Sequence, residues 1–445
     1  MQLNRSVFCA LLVVLVSSLS ALGQLQPATR PASEADRRIS VWLITFGPGE
    51  EAFEKFGHTS IWIHDPNASP ADQDLAYNWG MFDDRQMVFY WHFLQGKLWY
   101  WMASDEVFTG PFARIGYLDY YASILNRSIY LQELNLTPQE KREITDLLRR
   151  TDTDANRFYR YDYYRDNCAT KPRDVIDKLI GGRLGTLTKN KSAGVSYRWH
   201  TRRLTIQTPL LYTILEAVLG QPVDRPISQW DEMFLPMKLH DRLNEVQVPD
   251  PSGSGKMVPV VLSDILKYQS TRPPVPEAPP TVWFWFVGIG LVLAGFYLAV
   301  GHFVTRRRWA KIIFSVAAVP WVLLMGLGGI IMLWGWFFTD HIAAGHNENI
   351  LQTSPLLLPL VVLLPRLVFG KAKFANVTRW LAVLAVAGAL VGCALKLTPL
   401  FFQYNWDIIA VTLPVNLAMA FIVWRLVDLS KVAMPSKEPA ASGNA

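Results

Sequence analysis

The stretch RDNCATKP (165–172) holds a cysteine that stands alone in the water-facing part of this chain. The other two cysteines, Cys9 and Cys393, lie in apolar runs near the two ends. Cys168 thus has no evident disulfide partner, although its region carries the marks of export, where thiols normally pair. A lone cysteine is most often a small buried apolar residue; the other reading is a nucleophile. Its setting favours the nucleophile. Asp166 or Asn167 can cap a helix beginning near Cys168, and Pro172 is tolerated only in a first turn. The cysteine then sits at a helix N-terminus, where free N–H groups and the helix dipole favour a thiolate. The same N–H groups can hold an oxyanion.

A nucleophilic thiol needs a base, usually histidine. The candidates are His58, His64, His92, His200 and His240. His58 is best placed, following Gly57 at the head of a strand in FGHTSIWI. His64 lies roughly 20 Å further along that strand, too far to share a metal or a reacting atom with His58. No Cys-x-x-Cys or His-x-x-x-His spacing occurs in this region, so neither a metal nor another cofactor is expected. The basic cluster RWHTRRL (198–204) reads as a solvated face, with contact to anionic head groups as the lesser alternative.

The elements around these residues are mixed. RISVWLITFG (38–47), GHTSIWIHD (57–65) and DLAYNWGMFD (74–83) read as strands. QMVFYWHFLQGKLWYWMAS (86–104) reads as two strands joined near Gly96. Thr137-Pro138-Gln139-Glu140 opens a helix with a capping box. Val175, Ile176, Leu179 and Ile180 give the Cys168 helix an apolar face that ends at Gly181-Gly182. Segments 208–219 and 228–246 are further helices. The class is α+β.

The two ends of the chain place this domain. MQLNRSVFCALLVVLVSSLSALG (1–23) is a signal-peptide pattern, and 24–37 reads as a linker. The exported domain is expected over 38–250 and a Pro-rich linker over 251–281. A transmembrane domain of about five helices follows over 282–426, with spans near 283–304, 312–337, 355–370, 378–398 and 406–424. The third span is short and holds Pro359 and Pro365. Lys and Arg cluster in TRRRWAK (305–311), in the loop with Arg366, Lys371, Lys373 and Arg379, and in the tail 427–445. These loops are expected in the cytoplasm, which puts the domain before residue 283 outside the cytoplasmic membrane. The net charge of +6 mostly reflects these loops, so nucleic acid is not an expected partner.

FGHTSIWIHDP, LAYNWGMFD and YRYDYYRDNCAT resemble, in that order, the N-terminal periplasmic domain of the Lnb family of integral-membrane lipoprotein transacylases. The order His-strand, next strand, Asn-Cys at a helix start is also similar to permuted papain-like folds of the NlpC type. The resemblance covers about residues 38–250, and HNENILQTSPL (346–356) looks like a further family feature. It implies a Cys–His site with Cys168 as nucleophile and His58 as base. It also implies a third polar residue on the next strand that orients the imidazole: Asn78, with Tyr77 second and otherwise a substrate contact. Asn167 beside the cysteine is another candidate contact. The outer loop with His341, His346, Asn347 and Asn349 can form part of the site mouth; His346 and Asn349 are its candidate substrate contacts.

A cysteine acyltransferase or hydrolase acting on lipoprotein or lipid acyl chains is the expected function, with a membrane lipid or lipoprotein as partner. A bundle of spans suits that substrate better than a cell-wall peptide. The alternatives are a membrane-anchored cell-wall peptide hydrolase and a non-catalytic scaffold.

Overall fold

The computed structural model describes residues 33–85, 87–108 and 116–432. The expected signal peptide (1–23), most of the linker and the end of the tail lie outside the described residues.

Seven strands form one antiparallel sheet: β1 (Ser40–Phe46), β2 (His58–His64), β3 (Asp74–Met81), β4 (Trp99–Glu106), β5 (Ile129–Leu134), β6 (Phe158–Arg160) and β7 (Val261–Tyr268), in the order β7-β5-β1-β2-β3-β4-β6. Alternation sorts their side chains to two faces. Leu43, Ile61 and Tyr77 point to one face, and Phe46, Ala76 and Leu131 to the other. The first face carries the main core.

Between β3 and β4 lies helix α1 (Met87–Gln95). Helices α2 (Pro138–Thr151), α3 (Thr170–Leu179), α4 (Tyr197–Thr205), α5 (Pro209–Val218) and α6 (Pro236–Leu243) follow. Ile144 of α2, Ile176 of α3 and Leu239 of α6 close the core over the sheet. The start of α2 is as expected. Thr137 accepts from the Glu140 N–H, Glu140 bonds back to the Thr137 N–H, and Pro138 opens the helix.

Three readings need correction. Residues 87–95 are helical, not a strand, because an unbroken apolar run carries no period that separates the two. Residues 34–38 form a short helix capped by Ser33 rather than linker. Residues 261–268 pair with β5; the Gly/Ser turn before them and the proline run after them hid this edge strand, so the sheet domain runs to Tyr268.

The C-terminal part is helical. It contains α7 (Trp283–Phe303), α8 (Arg308–Phe337), α9 (Leu360–Val368), α10 (Ala375–Leu395) and α11 (Trp406–Val432). Four of these, α7, α8, α10 and α11, are long and apolar enough to cross a membrane. The nine residues of α9 rise only about 14 Å. This helix belongs to a pair, Ile342–Leu351 and Pro355–Val368, bent by 44°, the geometry of a broken span or of a re-entrant loop.

The sheet domain grips one end of this bundle. Arg202 donates to the Tyr404 hydroxyl (3.1 Å), and Tyr212 to Asp407 (2.7 Å) at the start of α11. The side chain of Arg198 is 1 % exposed; its Nε meets Asp224 at 2.9 Å and its Nη1 meets Glu216 at 3.4 Å. The cluster at 198–204 is therefore largely a buried joint and not a solvated face, because its acidic partners come from segments far away in sequence. Arg198→Ala strands Asp224 as a buried charge and leaves Glu216 only Arg202 at 3.7 Å, so a loss of about 3–5 kcal/mol is expected. A clear drop in the thermal unfolding midpoint of the purified chain checks this, and an unchanged midpoint contradicts it.

Candidate active site

The site is built where β2 begins. His58, Ser60 and Trp62 point to one face of the sheet, and Thr59, Ile61 and Ile63 to the other. Ser60 pairs in register with Asn78 on β3, which sets the Asn78 side chain on the His58 face. The Asn78 Oδ1 lies 3.1 Å from His58 Nε2 and accepts from Ser60 Oγ and the Tyr117 hydroxyl, each at 2.5 Å. Its Nδ2 donates to the Ala76 carbonyl (3.2 Å) and to Asp105 (2.9 Å). Those two acceptors fix which end of the amide is nitrogen. A carbonyl oxygen only accepts, so the hydrogen-bond network assigns the imidazole proton to Nε2 and leaves Nδ1 as the basic nitrogen.

Cys168 arrives from the helix side. Asp162 and Asp166 exchange backbone hydrogen bonds of 3.1 Å and close a turn. The Asn167 Oδ1 then accepts from the N–H groups of Ala169 (2.9 Å) and Thr170 (3.0 Å). Asn167 is the capping residue, and Cys168 lies in the turn just ahead of α3. Pro172 falls in the first helical turn. The thiol interacts with the N–H of Thr59, the residue after His58, and with its own N–H. Gly80 has φ +86°, and a Cβ there would stand 3.6 Å from that of Cys168 and 3.3 Å from Tyr161. The positive φ, more than the spacing to the cysteine turn, is what favours glycine here.

Electrostatics set the resting protonation. Burial, helped by the charge of Arg127, lowers His58 to about 4. Burial raises Cys168 to about 11, against the pull of the Thr59 N–H and Arg127. Thiol and imidazole are both neutral near pH 7. Burial thus opposes the thiolate that a helix start favours.

Residues 32–207 match the family model described as the Lnb N-terminal periplasmic domain. The chain carries an Lnb-type domain. The match spans β1 to β6, the Cys168 turn and α4. No curated protein and no solved structure matches the chain.

The other sequence candidates, inside and outside the Lnb-type domain, have different surroundings from those expected. Tyr77 is buried on the opposite face of the sheet. It lines a shallow cavity of about 480 Å³ with Arg149 and Asp152, and cannot meet the His58 ring. Asn167 spends both amide protons on the carbonyls of Tyr163 and Phe234 (2.9 Å each) and its oxygen on the cap. It holds the turn and has no donor left for a substrate. Asn349 donates to the carbonyls of Glu216 and Ala217 and accepts from Asn405. It belongs to the joint with α5. His346 packs on Trp336 at 4.9 Å.

Sequence reasoning missed Ser60, Tyr117 and Arg127. Ser60 was findable, two residues past His58 on the same strand face. Arg127 had no local signal. It is buried, donates to the Gly47 carbonyl (2.9 Å), lies 3.5 Å from Glu54, and sets its guanidinium 5.1 Å from the Tyr121 ring. His58 stacks on Phe46, which stacks on Tyr121.

These shifts give a pH dependence. Protonated His58 cannot take a proton from the thiol, so activity should fall as pH drops toward about 4 and stay level between pH 6 and 8. Removing the Arg127 charge together with its partner, Arg127→Met with Glu54→Gln, should move the acid limb upward. A pH–rate profile of the wild type with its limb near 6.5 contradicts this electrostatic account.

Proposed function

We propose that this protein is a membrane-anchored cysteine acyltransferase or hydrolase that acts on lipoprotein or lipid acyl chains at the outer face of the cytoplasmic membrane. The observation that carries the reading is the Asn78 oxygen on His58 Nε2, with the Cys168 thiol against the next residue of the same strand. The order of these elements supports a permuted papain-like arrangement.

In this mechanism Cys168 Sγ attacks the carbonyl carbon of an acyl ester while its proton passes to His58 Nδ1. In this reading the Cys168 N–H turns from the thiol to the oxyanion and stabilises it. The carbon–oxygen bond to the alcohol then breaks, and His58 returns the proton to the departing oxygen. The acyl group remains on Cys168 as a thioester. An amine or water attacks next, gives its proton to His58, and releases Cys168 as a thiol.

The orientation of the bundle supports the location. The sheet domain contacts the end of α8 and the start of α11. The basic residues Arg306, Arg307, Arg308, Lys371 and Arg379 lie at the opposite end, as the end of α7 and the starts of α8 and α10. Positive loops inside and the domain outside then follow.

The test is to incubate the purified full chain in detergent with a diacylated lipopeptide and, separately, with a cell-wall peptide. Loss or transfer of an acyl group from the first supports the reading. Cleavage of the second alone sinks it.

A further inference from the structure

We infer that α1 is buried in the hydrocarbon of the outer leaflet, as a short in-plane helix beside the end of α8. Its sequence, MVFYWHFLQ, contains no Asp, Glu, Lys or Arg. No residue of it is buried within the protein; Met87 is 81 % exposed, and Val88, Tyr90, Trp91 and Leu94 are each at least half exposed. A helix that is apolar all round has no side to turn toward water. A protein interface would set such a core inside a polar rim, and α1 offers only His92 and Gln95.

The position of α1 identifies what covers it. The Asp340 N–H donates to the Gln95 carbonyl at 2.9 Å, and His341 Nε2 donates to the Phe93 carbonyl at 2.7 Å. A Cβ at Gly96 would lie 2.7 Å from the His341 nitrogen. Arg160 holds Asp340 at 2.8 Å. Residues 340 and 341 directly follow the 30-residue span α8, whose end exposes Phe337 and Phe338. α1 is thereby held beside the end of α8, next to its exposed Phe337 and Phe338. Trp, Tyr and Phe are the residues that settle at this depth. The helical state fits as well. A strand here would present unpaired backbone groups to lipid, whereas a helix bonds most of its own.

Rings connect this helix to the cysteine. Phe89 lies 5.3 Å from Phe82, Phe82 lies 5.0 Å from Tyr100, and Tyr100 lies 4.5 Å from Tyr161, which flanks Cys168. The lipid contact stands whether or not the proposed acyl chemistry does, because its readout is depth and not turnover.

The experiment uses the full chain in phospholipid nanodiscs. A nitroxide is attached after Trp91→Cys or, separately, Val88→Cys, in a background with Cys9→Ser, Cys168→Ser and Cys393→Ser. Collision with oxygen is compared with collision with a water-soluble nickel chelate. Ile330→Cys on α8 serves as the lipid reference and Asp154→Cys as the water reference. Both α1 labels should favour oxygen over nickel several-fold more than position 154 does, and rank beside position 330. Nickel access equal to that at position 154 overturns the inference. So does protection from both reagents, which would mean that protein, including a second copy, covers the helix.

Discussion

Cys168→Ala should lower turnover on a diacylated lipopeptide by about 10³-fold or more while the chain keeps its fold. The size follows from removing the only atom that forms the covalent bond; losses of a nucleophile reach roughly 10⁶-fold in enzymes of this logic. The fold should survive because the turn is held by other groups: the Asp162–Asp166 backbone pair, the Asn167 cap and the Lys171–Asp166 ion pair at 2.7 Å. Alanine removes one sulfur and adds nothing against Gly80. Turnover measured by mass spectrometry, beside a thermal melt of the same preparation, checks both halves. Wild-type turnover by Cys168→Ala would remove the nucleophile from the account.

Asn78→Leu should cost about 10²–10⁴ in turnover, because the imidazole loses the acceptor that selects its tautomer; a wrong tautomer in a comparable triad costs about 10⁴-fold. Some stability should go too. Ser60 and Tyr117 lose a shared acceptor inside the domain; their hydroxyls lie 2.8 Å apart and can satisfy one donor between them, which leaves the other unpaired at about 1–3 kcal/mol. Asn78→Asp combined with Asp105→Asn separates the two effects, because the new amide at 105 can donate to the carboxylate oxygen that replaces the Asn78 nitrogen. The exchange keeps an acceptor for His58 Nε2 and sets the negative charge against it, which favours the imidazolium and should move the acid limb upward. If Asn78→Leu folds and turns over like the wild type, Asn78 does not position His58.

Much of this arrangement was legible in the sequence. The period-2 runs at 40–46, 58–64 and 74–81 carry their own alternation, and the capping box at Thr137 its own geometry. Asn167 and Pro172 bracketed the start of α3 to within two residues. Other parts were not legible, for physical reasons. The run at 87–95 is apolar at every position, so no period distinguished helix from strand. Tyr117 and Arg127 reach the site through tertiary packing from a connecting segment with no strong pattern. Arg198 and Arg202 looked like surface cations, since their partners Asp224, Glu216 and Asp407 lie up to about two hundred residues away. Burial, which no helix-start signal encodes, acts against the thiolate expected at Cys168.

The central claim is a thioester on Cys168, and intact and peptide mass measurement tests it most directly. The purified full chain in detergent is mixed with a diacylated lipopeptide, quenched in acid and digested. The account predicts that the peptide containing Cys168 gains the mass of one acyl chain, that hydroxylamine removes it, and that a cell-wall peptide leaves no such mark. Acyl transfer that proceeds with Cys168 unmodified and in Cys168→Ala alike would contradict it.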